Sequence, residues 1–397
     1  MFRRWLASLA TIFIGMFYVL WSYLQRKFCK TTKSSVNVDH LKIAIDWLLI
    51  AHQMSGRLGF AANFSLRSGW GMSYPETTGY LIPTLISFVR QSNYRQTDVL
   101  DACHKSGEWL LSIQHLNGSF PGYNTNEPTV FDTGQVVLGL CALYQLSHDS
   151  RYLGAAMRAG NWLWSVQEEN GSWVKYTYNK LPRAYSAFVD VPLIKLANLS
   201  GMSLYKEVAV RNLDWVISQQ LSNGWYRKSS FREDDKAVLH TIAYTLQGLL
   251  ESGFLLHDEK CIMSAKKAAD ALLENSARNI LVGFYNHKWK PASFSKCLTG
   301  VAQMGIVWHQ LYSYTQDRAY LISAQQTFDY LKSKQNITAH DANLRGALMG
   351  SYPIWGAYMP FNYPNWGVKF FIDLGLLLKL NYESESSVGR SISEISN

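Results

Sequence analysis

One phrase recurs along this chain at a fixed interval, and such a period dictates an array built from one structural unit. Its fullest form runs from Asn161 to Trp173, NWLWSVQEENGSW, where Trp162-Leu163 leads to Gln167 and then to Asn170-Gly171-Ser172-Trp173. The same order appears in Trp109-Leu110, Gln114 and Asn117-Gly118-Ser119-Phe120, and again in Trp215-Val216, Gln220 and Asn223-Gly224-Trp225. Trp109, Trp162 and Trp215 stand 53 residues apart. Weaker copies are read at Trp47-Leu48 with Gln53 and at Tyr330-Leu331 with Gln335.

Apolar residues at helical spacing precede each phrase. Asp39 caps the first such helix, with Leu41, Ile45, Leu48 and Leu49 along one face. Further helices of this set are expected near 97–115, 150–168, 203–221, 258–276 and 317–335. A second set, near 76–92, 132–147, 185–199, 237–254, 297–313 and 366–380, is more apolar. It carries small residues such as Gly134, Gly139 and Ala142, or Gly300, Ala302 and Gly305. Small residues let helix backbones approach closely, as an inner ring requires. Strand signals are almost absent, so the expectation is all-α, twelve helices in six hairpins.

The connections are unequal. Links from the second set to the first are short, at 147–150, 200–203, 257–259 and 315–318. Links the other way, at 118–131, 171–183, 224–236, 283–294 and 335–365, are long and rich in aromatics. In antiparallel hairpins all links of one direction fall at one end. One pole is therefore trimmed and the other built up, and long loops in a compact domain usually carry function.

Composition matters mostly at the start of the chain. Trp5 to Leu24 form 20 residues without a charge, enough to cross a bilayer's hydrocarbon core. No small-residue cleavage site follows, so the stretch reads as an uncleaved single-pass anchor rather than a signal peptide. Arg3 and Arg4 precede it while Arg26, Lys27, Lys30 and Lys33 follow, a bias that leans towards a cytoplasmic body. These six supply most of the net charge of +9, leaving +3 downstream. The basic balance therefore gives nucleic-acid binding no support. Five cysteines with no CxxC pair fit a reducing compartment or buried thiols. The expected division is anchor and linker over 1–38, a helical domain over 39–382, and a polar, disordered tail over 383–397.

QEENGSW and QHLNGSF resemble the Q-x-x-x-G-x-W turns of the terpenoid-cyclase and protein-prenyltransferase α/α toroids. There Gly permits the bend, the aromatic packs over it, and Gln ties down the chain. The resemblance implies an (α/α)6 toroid over roughly 40–380, without fixing a chemistry. The Asp-x-Asp-Asp run of squalene-type cyclases has no match, since Arg232-Glu233-Asp234-Asp235 begins with Arg. Cys297 stands without the Asp and His of a zinc prenyltransferase, so no metal is expected. SYPETTGY at 73–80, DTGQ at 132–135, HTIAY at 240–244, LTGVAQ at 298–303 and YPNW at 363–366 with KFF at 369–371 carry a closer resemblance. Together they look like toroid proteins encoded with exopolysaccharide biosynthesis genes. Those are similar in fold to six-hairpin glycosidases, uronate lyases and glucuronyl C5-epimerases.

Each of those phrases falls at the end of a long loop or on the first turn of a second-set helix. Helix N-termini, with their free N–H groups, would then converge at the built-up pole. Glu76 and Asp132 are the candidate catalytic carboxylates, because glycosidic chemistry needs a proton donor and a second group that activates water or attacks carbon. Both also read as acids capping a helix. His240 and Tyr244, one turn apart, could abstract and return the C5 proton of a uronate; a satisfied core histidine is the plainer reading. Asp190, in AFVDVP, is either a substrate contact or a buried hydrogen-bonded acid. Trp70, Tyr74, Tyr123 and Tyr226 sit in or beside the long loops, as do Trp355, Tyr358, Tyr363 and Trp366. They are platforms for sugar rings or packing between loops. Gln303 is a further polar substrate contact, and Lys369 and Arg67 could pair with a uronate carboxylate.

The expectation is a membrane-anchored carbohydrate-active enzyme of polysaccharide biosynthesis or processing. Its substrate would be a polysaccharide or lipid-linked oligosaccharide, uronic-acid-containing glycans included. It would act by acid/base hydrolysis, elimination or epimerisation, without a cofactor. Two alternatives stay open: a terpenoid cyclase or prenyltransferase-like enzyme, and a non-catalytic glycan-binding assembly component.

Overall fold

The computed structural model describes residues 39–231, 236–276 and 281–379. The expected anchor at 5–24, the run 232–235 and the tail from 383 lie outside them. Among the described residues no helix is long and apolar enough to cross a membrane. From Leu41 onward the described residues belong to one unit.

Among the described residues twelve α-helices alternate between two layers. The outer layer holds α1 (His40–Met54), α3 (Gln96–Ile113), α5 (Ser150–Ser165), α7 (Ser203–Ser218), α9 (Glu259–Ser276) and α11 (Arg318–Lys332). The inner layer holds α2 (Pro75–Gln91), α4 (Val130–Ser147), α6 (Ala187–Ser200), α8 (Leu239–Leu256), α10 (Leu298–Thr315) and α12 (365–379). The short inner-to-outer links have a common chemistry. His148, Gly201, His257 and Gln316 each end an inner helix in the left-handed conformation. In three of the four an aspartate follows and caps the next helix: Asp149, Asp258 and Asp317 accept from the backbone nitrogens of Arg151, Lys260 and Ala319, each at 2.9 Å. Two residues thus stop one helix and start another.

Neighbouring inner helices pack in chain order, α2 on α4, α4 on α6, α6 on α8 and α8 on α10. Glycine makes the approach possible. A Cβ on Gly139 of α4 would lie 2.4 Å from the Gly79 carbonyl oxygen of α2, and one on Gly248 of α8 would lie 2.4 Å from the Ala187 carbonyl carbon of α6. The ring closes through α12. Leu374 covers Gly305 of α10 on one side. On the other, Asp373 accepts from the Thr84 hydroxyl of α2 at 2.7 Å and Phe370 packs on Tyr80 at 5.9 Å.

The repeated phrase acts as a clamp between outer helices. The Gln167 amide donates to the carbonyls of Gly171 (3.0 Å) and of Val208 in the next outer helix (2.9 Å). Gln114 does the same to Gly118 and Ala155, and Gln220 to Gly224 and Ser264. Gly171 has φ +86°, and a Cβ there would sit 2.2 Å from the Arg211 carbonyl oxygen. Gln335 repeats the bond to Gly346, whose own close neighbour is the Ile43 backbone of α1, so the outer layer closes as well. In the first copy the expectation needs correcting. Gln53 is exposed, and His52 takes the role through Nδ1 to the Gly59 carbonyl oxygen at 2.7 Å.

Among the described residues seven strands of two or three residues, too short for a periodic signal, lace the long loops together. β1 (Asn63–Ser65) pairs with β2 (Gly69–Trp70) and β7 (Asn362–Pro364), β3 (Lys236–Val238) with β4 (Phe284–Asn286), and β5 (Lys296–Cys297) with β6 (Ser351–Tyr352).

Gly139→Ala forces a methyl into a neighbouring backbone and is expected to destabilise by about 1–3 kcal/mol. Gln167→Ala leaves two carbonyls without their donor and is expected to cost about 1–3 kcal/mol. Urea midpoints read both; a Gly139→Ala midpoint equal to that of the parent would mean the inner helices do not touch there.

Candidate functional site

The first turns of the inner helices carry the chemistry. Threonines fix the loops that lead into them: the Thr78 hydroxyl accepts from the Phe60 nitrogen and that of Thr133 from the Phe120 nitrogen, both at 3.0 Å. Pro75 starts α2 in a position where no N–H is needed. Glu76 follows, and Asp132 lies in the first turn of α4. The glycine at 122 lets the loop before α4 fold close, its Cβ position 3.4 Å from the Asp132 carboxylate.

Glu76 and Asp132 lie within electrostatic and hydrogen-bonding reach of each other, with Tyr74 and Tyr244 against Glu76. The Tyr74 hydroxyl also donates to Asp132 at 3.4 Å. Burial and then the neighbouring Asp132 hold the Glu76 carboxyl well above the usual carboxylate range. Burial lifts Asp132 to about 6, held back by hydrogen bonds that include those to Glu76 and Tyr74. Two carboxyls that close titrate as a pair and hold one proton between them.

Aromatic rings surround the pair. Tyr74 meets Tyr123 at 5.0 Å and Trp366 at 6.5 Å, and the Trp366 indole donates to the Tyr358 hydroxyl at 2.7 Å. Tyr244 packs on Phe131, Phe188 and Phe370 at 5.0, 5.1 and 5.8 Å. His240 stacks on Tyr244 at 4.3 Å and faces Tyr358 at 5.6 Å. Its pKa is pulled down to about 4 by burial, against the Gln303 hydrogen bond and with the help of Lys369, so the ring is neutral. Glu76, Asp132, His240, Tyr244, Tyr74, Tyr123, Trp366 and Gln303 therefore gather at one pole of the ring.

The other candidates have different surroundings. Asp190 is wholly buried and neither oxygen has a hydrogen-bond partner. It lies within electrostatic reach of Cys261 on outer helix α9. Trp70 packs on Trp47 of α1 and donates to Asn343, which makes it part of the outer closure. Tyr363, 6% exposed, is built into β7 opposite Phe64. Lys369 is paired with Asp373 at 2.7 Å, so its ammonium is already neutralised. Trp355 is exposed. Tyr226 is bonded to Ser264, and Arg67 lies over Phe361.

The sequence reading missed Phe131, Phe370 and Tyr185, which look like ordinary core residues. It also missed Arg183, whose buried guanidinium donates to the carbonyls of Ser230, Tyr178 and Phe231 and staples two long loops together. Among the described residues no group of three His, Cys, Asp or Glu is placed to hold a metal ion.

No family model matches the sequence. Comparison with curated proteins gives no match either. Solved structures do match. An unsaturated glucuronyl hydrolase specific for heparin superposes with a TM-score of 0.69 at 13% identity, over 86% of this chain and 97% of its own. The unsaturated glucuronyl hydrolase of Bacillus sp. GL1 gives 0.68 at 14%, over 86% and 96%. An alpha-amylase of Clostridium perfringens gives 0.63 at 14%, over 87% and 99%. This chain thus shares the six-hairpin α/α toroid fold of these glycosidases, the architecture expected from its repeats.

Asp190 supplies a test of its placement. Its folded pKa is raised, so the folded chain keeps a proton that the unfolded chain releases above about pH 4, and stability falls as pH rises. Asp190→Asn cannot ionise. Its gain in melting temperature over the parent is expected to be near zero at about pH 4 and to grow towards about pH 8; an equal gain at both would place Asp190 in contact with solvent.

Proposed function

We propose that the chain is a carbohydrate-active enzyme that processes a glycan by acid/base catalysis at the Glu76–Asp132 pair. The observation that carries this reading is a protonated carboxyl beside a second one inside a wall of aromatic edges, at the pole where inner-helix N-termini meet. The solved structures of similar fold include glucuronyl hydrolases, and an Asp→Asn variant of the Streptococcus agalactiae enzyme is seen with dGlcA-GalNAc6S. These likenesses support a glycan substrate. The aromatics offer stacking faces for sugar rings. A pair of acids, rather than a lone one, speaks against protonation of an isoprenoid double bond.

The contact between the carboxyls narrows the chemistry. Glycosidases that flank a bond with two carboxylates hold them at least about 5 Å apart, whereas Glu76 and Asp132 are close enough for each to shift the other's titration. The arrangement favours steps in which the pair gives or takes a single proton. In this role Glu76 is the acid and Asp132 the base that receives the proton back, with His240 and Tyr244 completing acid/base capacity nearby. A role in polysaccharide biosynthesis, with the stretch 5–24 holding the domain at a membrane, completes the proposal.

The test is incubation with neutral, uronic-acid and unsaturated-uronate glycans. It follows reducing ends, ultraviolet absorbance gained or lost, and solvent-proton exchange at C5. Turnover of at least one class is expected, with the rate rising through pH about 6 as Asp132 ionises and falling at higher pH as Glu76 loses its proton. Glu76→Gln and Asp132→Asn should each lower kcat/KM by about 10²–10⁴-fold. Full activity in both variants would remove the pair from the reaction.

A further inference from the structure

His240 sits in an asymmetric environment created by two helices that nearly touch. Where the first turn of α10 passes α8, a Cβ on Gly300 would lie 2.8 Å from the His240 backbone nitrogen. One turn further along α10, that approach brings Gln303 beside the imidazole, its Oε1 in a short hydrogen bond with Nδ1. An amide oxygen carries lone pairs and no hydrogen, so the proton in this bond is on Nδ1. Gln303 is fully buried; Oε1 is the amide atom turned to the ring, and Nε2 has no hydrogen-bond partner. Among the described residues no other side-chain hydrogen bond holds His240. The groups facing the ring are the phenols Tyr244 and Tyr358, the apolar Phe370, and the cation Lys369, itself paired with Asp373.

We infer that Gln303 is a positioning residue: it locks His240 in the Nδ1–H tautomer, leaving Nε2 as a lone pair that accepts a hydrogen bond or a proton from the ligand bound beside Glu76 and Asp132. The identity of that ligand rests on the glycan reading; the tautomer does not. When Nε2 takes a proton the ring becomes an imidazolium with N–H on both nitrogens, and Gln303 Oε1 keeps its bond. On this inference Gln303, expected as a substrate contact, acts through the His240 ring instead.

The experiment is a two-bond 15N–1H correlation on the full-length protein labelled at histidine. The His240 signals are identified by their loss in His240→Asn. In the parent, Nδ1 should appear protonated and Nε2 unprotonated. Gln303→Leu should shift the ring to the Nε2–H form or a mixture and lower kcat/KM by about 10²-fold. Gln303→Glu keeps an acceptor on Nδ1, so it should retain the tautomer, raise the ring's titration midpoint by about 1–3 units and move the pH–rate profile in the same direction. A purely structural glutamine would lower the melting temperature and leave tautomer and profile unmoved. An unprotonated Nδ1 in the parent, or an unchanged spectrum in Gln303→Leu, overturns the inference. Should no glycan be turned over, the tautomer signals decide it alone, which separates its failure from that of the glycan reading.

Discussion

Backbone contact between inner helices is the constraint from which the site follows. Ordinary helices are held 8–10 Å apart by their side chains. Here glycine at 79, 139, 248 and 300 removes that spacer on successive neighbours. The first turns are drawn inward, so an acid near the start of α2 meets an acid near the start of α4. Without that approach Glu76 and Asp132 would be two separate capping acids, each solvated and each ionised at neutral pH.

Once they meet, burial does the rest. Both pKa shifts start from desolvation, and mutual repulsion then adds to the shift of Glu76. The aromatic wall supplies the desolvation, since Tyr74, Tyr244, Phe131 and Trp366 take the place of water around the carboxyls. The same burial lowers His240 and makes its tautomer a question of one hydrogen bond. Packing, protonation state and ring orientation are thus linked consequences of one geometric choice made in the helix interiors.

Much of the architecture was legible because its signals are local. The Gln and Gly of the repeated turn act within a few residues of each other, so their spacing announces the clamp. The first copy was misread by one position: counting five from Trp47 reaches His52, but the neighbouring Gln53 matched the expected residue type. Glu76, Asp132, His240 and Tyr244 come together because the starts of second-set helices converge. Asp190 satisfied the same rule, but it is wholly buried and neither of its oxygens has a hydrogen-bond partner. The pairing of Lys369 could have been read from sequence, because Asp373 stands four residues on and offers a partner on the same helical face. Phe131, Tyr185 and Phe370 gave no signal, as an aromatic lining a site and one filling a core look alike in one dimension.

The last clamp has a topological consequence. Because Gln335 and Gly346 grip α1 as the other clamps grip their successors, the hairpin order is cyclic and the first and sixth hairpins are ordinary neighbours. No position on the circle is privileged by the fold itself. A chain relinked through its present ends and opened at any of the aspartate-capped two-residue bends would list the same units in rotated order, while the acids at 76 and 132 kept their mutual distance.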